Sequence, residues 1–212
     1  MGARLHVIAG VARGRGLVVP PGARPTAGRV REAMFASVGS VEGQHVLDLY
    51  AGSGAIAVEA LSRGAAAAVL VERDRDAVAA CEANLAATGA DDRGRVAQRA
   101  VDVFLGGPVA PEAPFALVWC DPPYGTDAAE LGAVVAALGA PGWLSADARI
   151  VVERGARDDQ RARAAGESSL CAGAGAGGDV PDDGVFEVTW ERKYGDTLVT
   201  VLRSRRRSET EV

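Results

Sequence analysis

The feature that most constrains the fold is a glycine turn between an apolar strand and a helix. Residues 45–50 predict a buried strand, and Ala51 to Gly54 follow it directly. A helix is predicted from Ala55 to Arg63, with Gly64 ending it. Glycines after a strand let the backbone approach a ligand at the strand's carboxyl end. We therefore expect a ligand site at the edge of a sheet.

The same alternation of strand and helix continues along the chain. Four further apolar segments have the length of buried strands: residues 68–72, 96–99, 115–121 and 149–153. Helices are predicted from Asp74 to Thr88 and over roughly 127–138, and a closing hairpin over 186–202. Apolar strands interleaved with amphipathic helices predict an α/β fold, with a mostly parallel sheet covered by helices on both faces.

Positive charge is concentrated at the two ends of the chain. Residues 1–31 contain six arginines and no acidic residue, whereas the whole chain has a net charge of -5. The segment over 5–19 predicts a β-hairpin with an arginine-bearing turn. Basic ends on an acidic body indicate a surface that meets a polyanion, and we expect this face to bind nucleic acid. The expected RNA-binding residues are Arg4, Arg13, Arg15, Arg24 and Arg29.

Composition bounds the class of protein. With 212 residues and 48% hydrophobic content, the chain is long enough for one sizeable core. It has no apolar run of membrane-spanning length and no apolar stretch typical of a signal peptide. Its three cysteines are odd in number and lack metal-ligand spacing, so we expect neither disulfides nor a metal site. The expected protein is cytoplasmic and monomeric.

Three acidic residues are predicted to surround the glycine turn. Asp48 precedes it, Glu72 ends the second strand, and Asp102 follows the third strand. Glu72 is placed to accept both ribose hydroxyls of an adenosine, and Asp102 to accept from the adenine amino group. Acids around such a turn suit a ligand with a nucleoside at one end and a cation at the other, which is the form of S-adenosylmethionine. The spacing Gly52-x-Gly54-x-x-Ala57 also satisfies the dinucleotide fingerprint, so an NAD-linked oxidoreductase stays open.

The most informative motif is Asp121-Pro122-Pro123-Tyr124, directly after the fourth strand. An exocyclic amino group of a nucleobase is a poor nucleophile because its lone pair is delocalised into the ring. The Asp121 side chain and the Pro122 carbonyl can accept its two N–H bonds, and two prolines preorganise these acceptors. The Tyr124 ring can stack on the base. These four residues are the expected catalytic group, for attack of the amine on a sulfonium methyl.

A further candidate is the entry to the first helix, Arg24-Pro25-Thr26. The helix carries Arg29, Arg31 and Glu32, and it could cover the cofactor or contact phosphate. An ordinary capped amphipathic helix explains the same spacing equally well.

Together these motifs resemble the RsmD-type methyltransferases, which methylate the N2 amino group of one guanine in bacterial small-subunit ribosomal RNA. The resemblance rests on motifs that span most of the chain in order: Arg4 to Gly16, Arg24 to Thr26, Arg29 to Ala33, Leu47 to Gly54, Glu59 to Ala65, Val71-Glu72, Asp121 to Tyr124 and Tyr194 to Thr197. It implies a doubly wound seven-stranded fold with a small N-terminal extension, S-adenosylmethionine as methyl donor, and guanine 966 of 16S rRNA as target. The substrate would be an assembled or partly assembled small subunit.

These considerations lead to a set of expected boundaries and site residues. We expect a basic extension over 1–22, a methyltransferase domain over 23–205 and a tail over 206–212. The expected cofactor-binding residues are Asp48, Tyr50, Ala51, Gly52, Ser53, Gly54, Glu72, Arg73, Asp102 and Asp121.

Two alternatives concern the substrate. The Asp-Pro-Pro-Tyr motif serves any planar NH₂ group, so adenine in DNA or a glutamine in a protein stays open. The charge distribution also fits a non-enzymatic RNA-binding assembly factor.

Overall fold

The computed structural model describes residues 5–23, 28–123, 125–155 and 185–204. Within them the chain forms, in order, α1 (Gly28–Val38), β1 (His45–Leu49), α2 (Ala55–Ser62), β2 (Ala67–Glu72), α3 (Arg75–Thr88), β3 (Gly94–Gln98), α4 (Val101–Leu105), β4 (Phe115–Cys120), α5 (Ala128–Leu138), β5 (Leu144–Gly155), β6 (Phe186–Tyr194) and β7 (Thr197–Ser204). Some predictions fall outside the described residues: those on Arg4, Arg24, Tyr124 and the tail.

The strands form one seven-stranded sheet in the order β3-β2-β1-β4-β5-β7-β6. The first five strands in this order are parallel, and β7 joins β5 antiparallel and carries β6 as the edge. The expected α/β fold with a mostly parallel sheet is confirmed. The β6–β7 hairpin supplies the antiparallel part, and Gly195, at φ 59°, lies in its turn.

Two apolar cores cover the two faces of the sheet. One contains side chains of α1, α2 and α3, and Phe35 of α1 stacks on the fully buried Trp119 with ring centroids 5.8 Å apart. The other core contains side chains of α4 and α5 around Leu47, Leu49 and Val118. Burying both faces explains why the central strands are apolar along their whole length rather than alternating.

The helix ends follow local sequence signals. Asp74 accepts hydrogen bonds from the backbone N–H groups of Asp76 and Ala77, which caps α3, and Gly89 ends that helix at φ 64°. The short α4 was not anticipated from the sequence. Its five residues are too few to show a helical period, and neither of its ends has a side-chain cap.

The N-terminal ribbon, residues 5–19, is a tight loop with a single antiparallel bridge, between His6 and Gly16. It is fastened to the body mainly through polar groups of α2 and α3. The Glu59 carboxylate accepts from the N–H groups of Ile8 and Ala9 at 2.7 and 3.0 Å. Asn84 accepts from Val18 N–H and donates to Val18 C=O. The ribbon is therefore held in one position on the domain although it contains little regular structure.

Among the residues that the structure describes, no helix is both long and apolar enough to cross a membrane. The same part of the chain contains no group of three or more metal-ligating side chains. Cys81 and Cys120 are buried and free.

Candidate active site

A cleft of about 1050 Å³ opens beside the carboxyl ends of the parallel strands. It lies where the strand order changes direction, because β1 has β2 on one side and β4 on the other. Leu49 pairs with Val71 of β2 and with Cys120 of β4, so the residues that follow these three positions lie side by side. Six of the expected cofactor residues line the cleft: Tyr50, Gly52, Glu72, Arg73, Asp102 and Asp121.

A smaller cavity of about 80 Å³ adjoins this cleft. The two spaces share Ala23, Tyr50, Gly52 and Asp121 among their lining residues, so they are adjacent. Three more of the expected residues line the smaller cavity: Asp48, Ala51 and Ser53. The site is thus a large compartment with a smaller one beside it at the glycine turn.

The two glycines of the turn have different reasons to be glycine. Both have positive φ, 56° at Gly52 and 70° at Gly54. A Cβ on Gly54 would lie 2.7 Å from Leu70 Cδ2 and 3.1 Å from Cys81 Sγ, so packing requires glycine there. A Cβ on Gly52 would meet nothing closer than Tyr50 O at 4.0 Å, and Gly52 lines both cavities. Gly54 lines neither cavity, contrary to the expectation that it contacts a ligand.

Tyr50 begins the turn with a φ of 62°, the one positive value at a non-glycine residue in the described chain. Such a conformation costs about 1–2 kcal/mol for an L-residue and is often found at functional sites. Burial raises the pKa of the Tyr50 hydroxyl, and the neighbouring Cys120, Glu130 and Asp102 raise it further. The phenol therefore stays protonated at neutral pH.

Glu72 connects the end of β2 to the glycine turn. Its Oε2 accepts from Gly52 N–H at 2.9 Å, and its Oε1 accepts from the N–H groups of Arg73 and Asp74 at 2.7 and 2.9 Å. A carboxylate offers about four acceptor positions. Three are engaged within the chain, which leaves room for about one hydroxyl of a ligand, where the sequence alone suggested two.

Asp48 is buried under the turn, with 2% of its surface exposed. Its Oδ2 accepts from Ala57 N–H in α2 at 3.1 Å. Burial raises the pKa of this carboxyl well above its usual range, while the Ala57 hydrogen bond lowers it, and Asp121 and Glu72 raise it. Asp121 and Glu72 are therefore close enough to repel the Asp48 carboxylate, and a cationic ligand would relieve that repulsion.

The motif after β4 lines the cleft as the sequence predicted. Asp121, Pro122 and Pro123 all contribute to the large cleft, and Asp121 also lines the smaller cavity. Asp121 is exposed to solvent rather than buried in the core. A carboxylate in this position can accept a proton or a hydrogen bond from a group entering the cleft.

Three of the expected RNA-binding arginines do not line the cleft. Arg13 and Arg15 are exposed on the ribbon, and Arg29 is exposed on α1. Neither histidine of the chain belongs to the site. His45 starts β1, at the end of the strand opposite the cleft, and its Nδ1 contacts the Glu112 carbonyl.

The family model described as "Conserved hypothetical protein 95" matches residues 5–168. Ribosomal RNA small subunit methyltransferase D of Escherichia coli (strain K12) is 39% identical over 153 residues, which cover 71% of this chain and 74% of that protein. The chain belongs to the RsmD family of methyltransferases. Membership in this family favours methyl transfer over the NAD-linked alternative.

Solved structures agree with the RsmD assignment. The yhhF protein from Escherichia coli superposes with a TM-score of 0.75 at 30% identity, covering 97% of this chain and 100% of that one. SMU.776, solved in complex with SAH, has a TM-score of 0.61 over 82% of this chain and 48% of that one. At 16% identity, the second likeness concerns the fold alone.

Several lining residues of this RsmD-family cleft were missed in the sequence. Arg99 follows β3 as Asp121 follows β4, and this shared position at a strand end was the available signal. One face of α5 also lines the cleft, with residues at helical spacing: Glu130, Ala133, Val134 and Ala137. Arg31, on the helix that the sequence suggested could cover the cofactor, lines the smaller cavity, but its complete burial was not predicted.

Proposed function

We propose that this chain transfers a methyl group from S-adenosylmethionine to the exocyclic N2 amino group of a guanine in small-subunit ribosomal RNA, with guanine 966 as the target. One observation carries the proposal. Asp121 lines both the large cleft and the smaller cavity directly after β4, beside the glycine turn and followed by two prolines. An acceptor for an amino group therefore adjoins a compartment suited to a nucleoside.

The cleft fits the adenosine part of the cofactor. Val71, Val101 and Leu105 provide apolar surface for a flat ring, and Glu72 provides an acceptor position for a ribose hydroxyl. Asp102, in the first turn of α4, is available to the adenine amino group. Arg73 and Arg99 are exposed residues at the rim.

The charges suit the reactive end of the cofactor. When bound, S-adenosylmethionine supplies a methyl group activated by a positively charged sulfur. Asp48, Glu72 and Asp121 surround the turn, and mutual repulsion contributes to the raised pKa of Asp48. A cation placed between them is stabilised by all three.

The chain's part in the chemistry is to orient and to accept a proton. The Asp121 carboxylate and the Pro122 carbonyl accept the two N–H bonds of the guanine amino group and hold its lone pair out of the ring plane. Bound S-adenosylmethionine would supply the methyl group to this amino nitrogen, which would then carry the positive charge. Asp121 or water then takes the proton from that nitrogen. Tyr124 is proposed to stack on the base.

The basic N-terminal region is proposed to bind the RNA. Arg13 and Arg15 are exposed on a ribbon that Glu59 and Asn84 hold firmly against the domain, and Arg29 is exposed on α1. Arg4 and Arg24 are proposed to add to this surface. The name of the Escherichia coli relative, a small-subunit ribosomal RNA methyltransferase, supports the same substrate class.

The test is a methylation assay on small ribosomal subunits from a strain that lacks its own RsmD. Subunits are incubated with the protein and radiolabelled S-adenosylmethionine, and the rRNA is digested and analysed by mass spectrometry. The expected product is N2-methylguanosine at one site. Methyl transfer only to DNA adenine or to a protein glutamine would contradict the proposed substrate, and cofactor binding without transfer would support an assembly factor.

Two variants at Asp121 test its role in the same assay. Asp121→Ala should lower methylation at least 100-fold, in the range expected for loss of general acid–base catalysis. It should leave the melting temperature nearly unchanged, because Asp121 is exposed, and it should weaken S-adenosylhomocysteine binding much less than it lowers methylation. Asp121→Asn keeps an acceptor oxygen but not the charge. Turnover by the alanine variant at the normal rate would remove Asp121 from the mechanism.

A further inference from the structure

Arg31 is a buried cation whose hydrogen-bonding capacity is mostly unused. It lies on α1 with 1% of its surface exposed. Its Nη2 donates to the His6 carbonyl at 2.7 Å, but its Nε and Nη1 have no hydrogen-bond partner in the described structure. Buried donors are nearly always paired, and an unpaired buried guanidinium is strongly unfavourable. Its retention needs an explanation beyond the anchoring of the ribbon.

The acidic group whose charge acts on Arg31, Glu59, does not fill this need. Glu59 is fully buried, but its carboxylate accepts from Ile8 N–H, Ala9 N–H and Arg63 Nε. Burial lowers the pKa of the Arg31 guanidinium, the Glu59 charge raises it, and Arg63 lowers it. Glu59 thus serves the ribbon and Arg63 and makes no hydrogen bond to Arg31.

Arg31 instead lines the smaller cavity that adjoins the large cleft. The cavity has a volume of about 80 Å³, far smaller than the cleft of about 1050 Å³. It therefore suits a small polar group rather than a nucleoside. The other charged lining residues are Asp48 and Asp121. A ligand group with a carboxylate and an ammonium matches this lining, because the carboxylate can pair with Arg31 and the ammonium with the two acidic residues.

We propose that Arg31 binds the α-carboxylate of the cofactor's methionine tail in this cavity. The inference rests on the proposed function, because it takes S-adenosylmethionine as the ligand of the cleft. With the adenosine in the large compartment and the sulfur beside Asp121, the amino-acid tail extends into the smaller one. Charge-assisted hydrogen bonds from Nε or Nη1 then pair the two unused donors. Arg31 also connects the ribbon to the cofactor, since its third nitrogen bonds His6.

Three ligands separate the carboxylate from the rest of the cofactor in calorimetric titrations. S-adenosylhomocysteine has the whole tail, its decarboxylated analogue lacks only the carboxylate, and 5′-methylthioadenosine lacks the amino-acid group altogether. The wild-type protein should bind S-adenosylhomocysteine about 10- to 100-fold more tightly than the decarboxylated analogue, the range for loss of hydrogen bonds to a charged group. In Arg31→Met this ratio should fall to about one, while the affinity for 5′-methylthioadenosine stays unchanged. Arg31→Lys should give an intermediate ratio.

Arg63→Met is the matched control. Arg63 is a second arginine beside Glu59 and Phe35, but it lines neither cavity, so its removal should keep the wild-type ratio. An unchanged ratio in Arg31→Met would overturn the proposal and indicate that water alone pairs the guanidinium. If the wild-type protein itself bound S-adenosylhomocysteine and the decarboxylated analogue equally well, the proposal would be overturned. This measurement needs no variant, so it remains decisive if Arg31→Met does not fold. Failure of the wild-type protein to bind any of the three ligands would instead contradict the proposed function.

Discussion

The carboxylate of Glu72 accepts a hydrogen bond from the backbone N–H of Gly52 at 2.9 Å. The residue that ends β2 thereby fixes the turn that follows β1, so one side chain both shapes the site and offers an acceptor to its ligand. A change at Glu72 is expected to act on both functions.

Glu72→Ala should weaken binding of S-adenosylhomocysteine about 10- to 100-fold, since a hydrogen bond to a charged group contributes about 1.5–3 kcal/mol. Glu72→Gln should weaken it less, because the amide oxygen can still accept from Gly52. Calorimetric titration measures both. Glu82→Ala on the exposed side of α3 removes the same charge away from the cleft and is the control. Wild-type affinity in Glu72→Ala would show that the acceptor is not used.

Alanine at Gly52 and at Gly54 should have different consequences. Gly54→Ala should destabilise the fold by about 1–3 kcal/mol from overpacking against Leu70 and Cys81, in addition to about 1–2 kcal/mol for its positive φ. Gly52→Ala should have only the cost of the positive φ. It should also place a methyl group at the cleft, and so weaken binding of S-adenosylhomocysteine. Denaturant unfolding and calorimetry on both variants separate the effects. Equal loss of stability would argue against the different packing of the two glycines.

The ribbon offers a second matched pair of glycines. Gly10 and Gly14 both have a φ of 83°. A Cβ on Gly10 would lie 1.8 Å from the Ser62 carbonyl oxygen, whereas a Cβ on Gly14 would meet nothing within 4 Å. Gly10→Ala should therefore displace the ribbon from α2, and Gly14→Ala should not. We expect lower methylation of ribosomal subunits by Gly10→Ala, with the affinity for S-adenosylhomocysteine largely kept.

Hydrogen exchange of the ribbon amides checks this result. Val11 N–H donates to the Ser62 carbonyl at 2.9 Å, and Ala12 N–H donates to Ser62 Oγ at 2.9 Å. Both amides should exchange faster in Gly10→Ala and at the wild-type rate in Gly14→Ala. Full methylation by a protein whose ribbon exchanges rapidly would mean that substrate binding does not need a docked ribbon.

Asp48 should make stability depend on pH. Burial raises the pKa of its carboxyl in the folded state, so the folded protein holds this proton more tightly than the unfolded chain. The stability that this proton contributes is therefore fully present below a pH of about 4, the pKa of Asp in the unfolded chain. It is lost as the pH rises through the pKa of Asp48 in the folded state. Asp48→Asn keeps an acceptor for Ala57 N–H without the charge. The variant should lose less stability than the wild type between pH 4 and neutrality, measured by denaturant unfolding across this range.

The same substitution should weaken ligand binding, because the cationic end of S-adenosylmethionine loses an anionic neighbour. Asp48→Ala serves for comparison. It leaves the buried Ala57 N–H unpaired, which costs about 1–3 kcal/mol at every pH. An Asp48→Asn protein with the wild-type pH dependence would show that another group carries the effect.

The local elements of the fold could be predicted because their signals are local. Asp74 and Gly89 mark the ends of α3 by side-chain capping and by a positive φ, each a property of a few adjacent residues. Asp121 could be assigned to the cleft because the carboxyl ends of parallel strands meet at one edge. The α4 helix could not be predicted, since its five residues depend on packing around Phe104 and Trp143.

What the sequence determined by itself is the alternation of strands and helices, the turn after β1 and the acids at the strand ends. Only the tertiary structure decided that Gly54 serves packing, that Glu72 has about one acceptor position left, and that Arg31 is buried with two unpaired donors. The physical reason is distance along the chain. Arg31 contacts His6, 25 positions away, and Asn84 contacts Val18, 66 positions away. Propensity and periodicity describe neighbours within a turn or a strand, whereas burial and hydrogen-bond partners arise where remote segments meet.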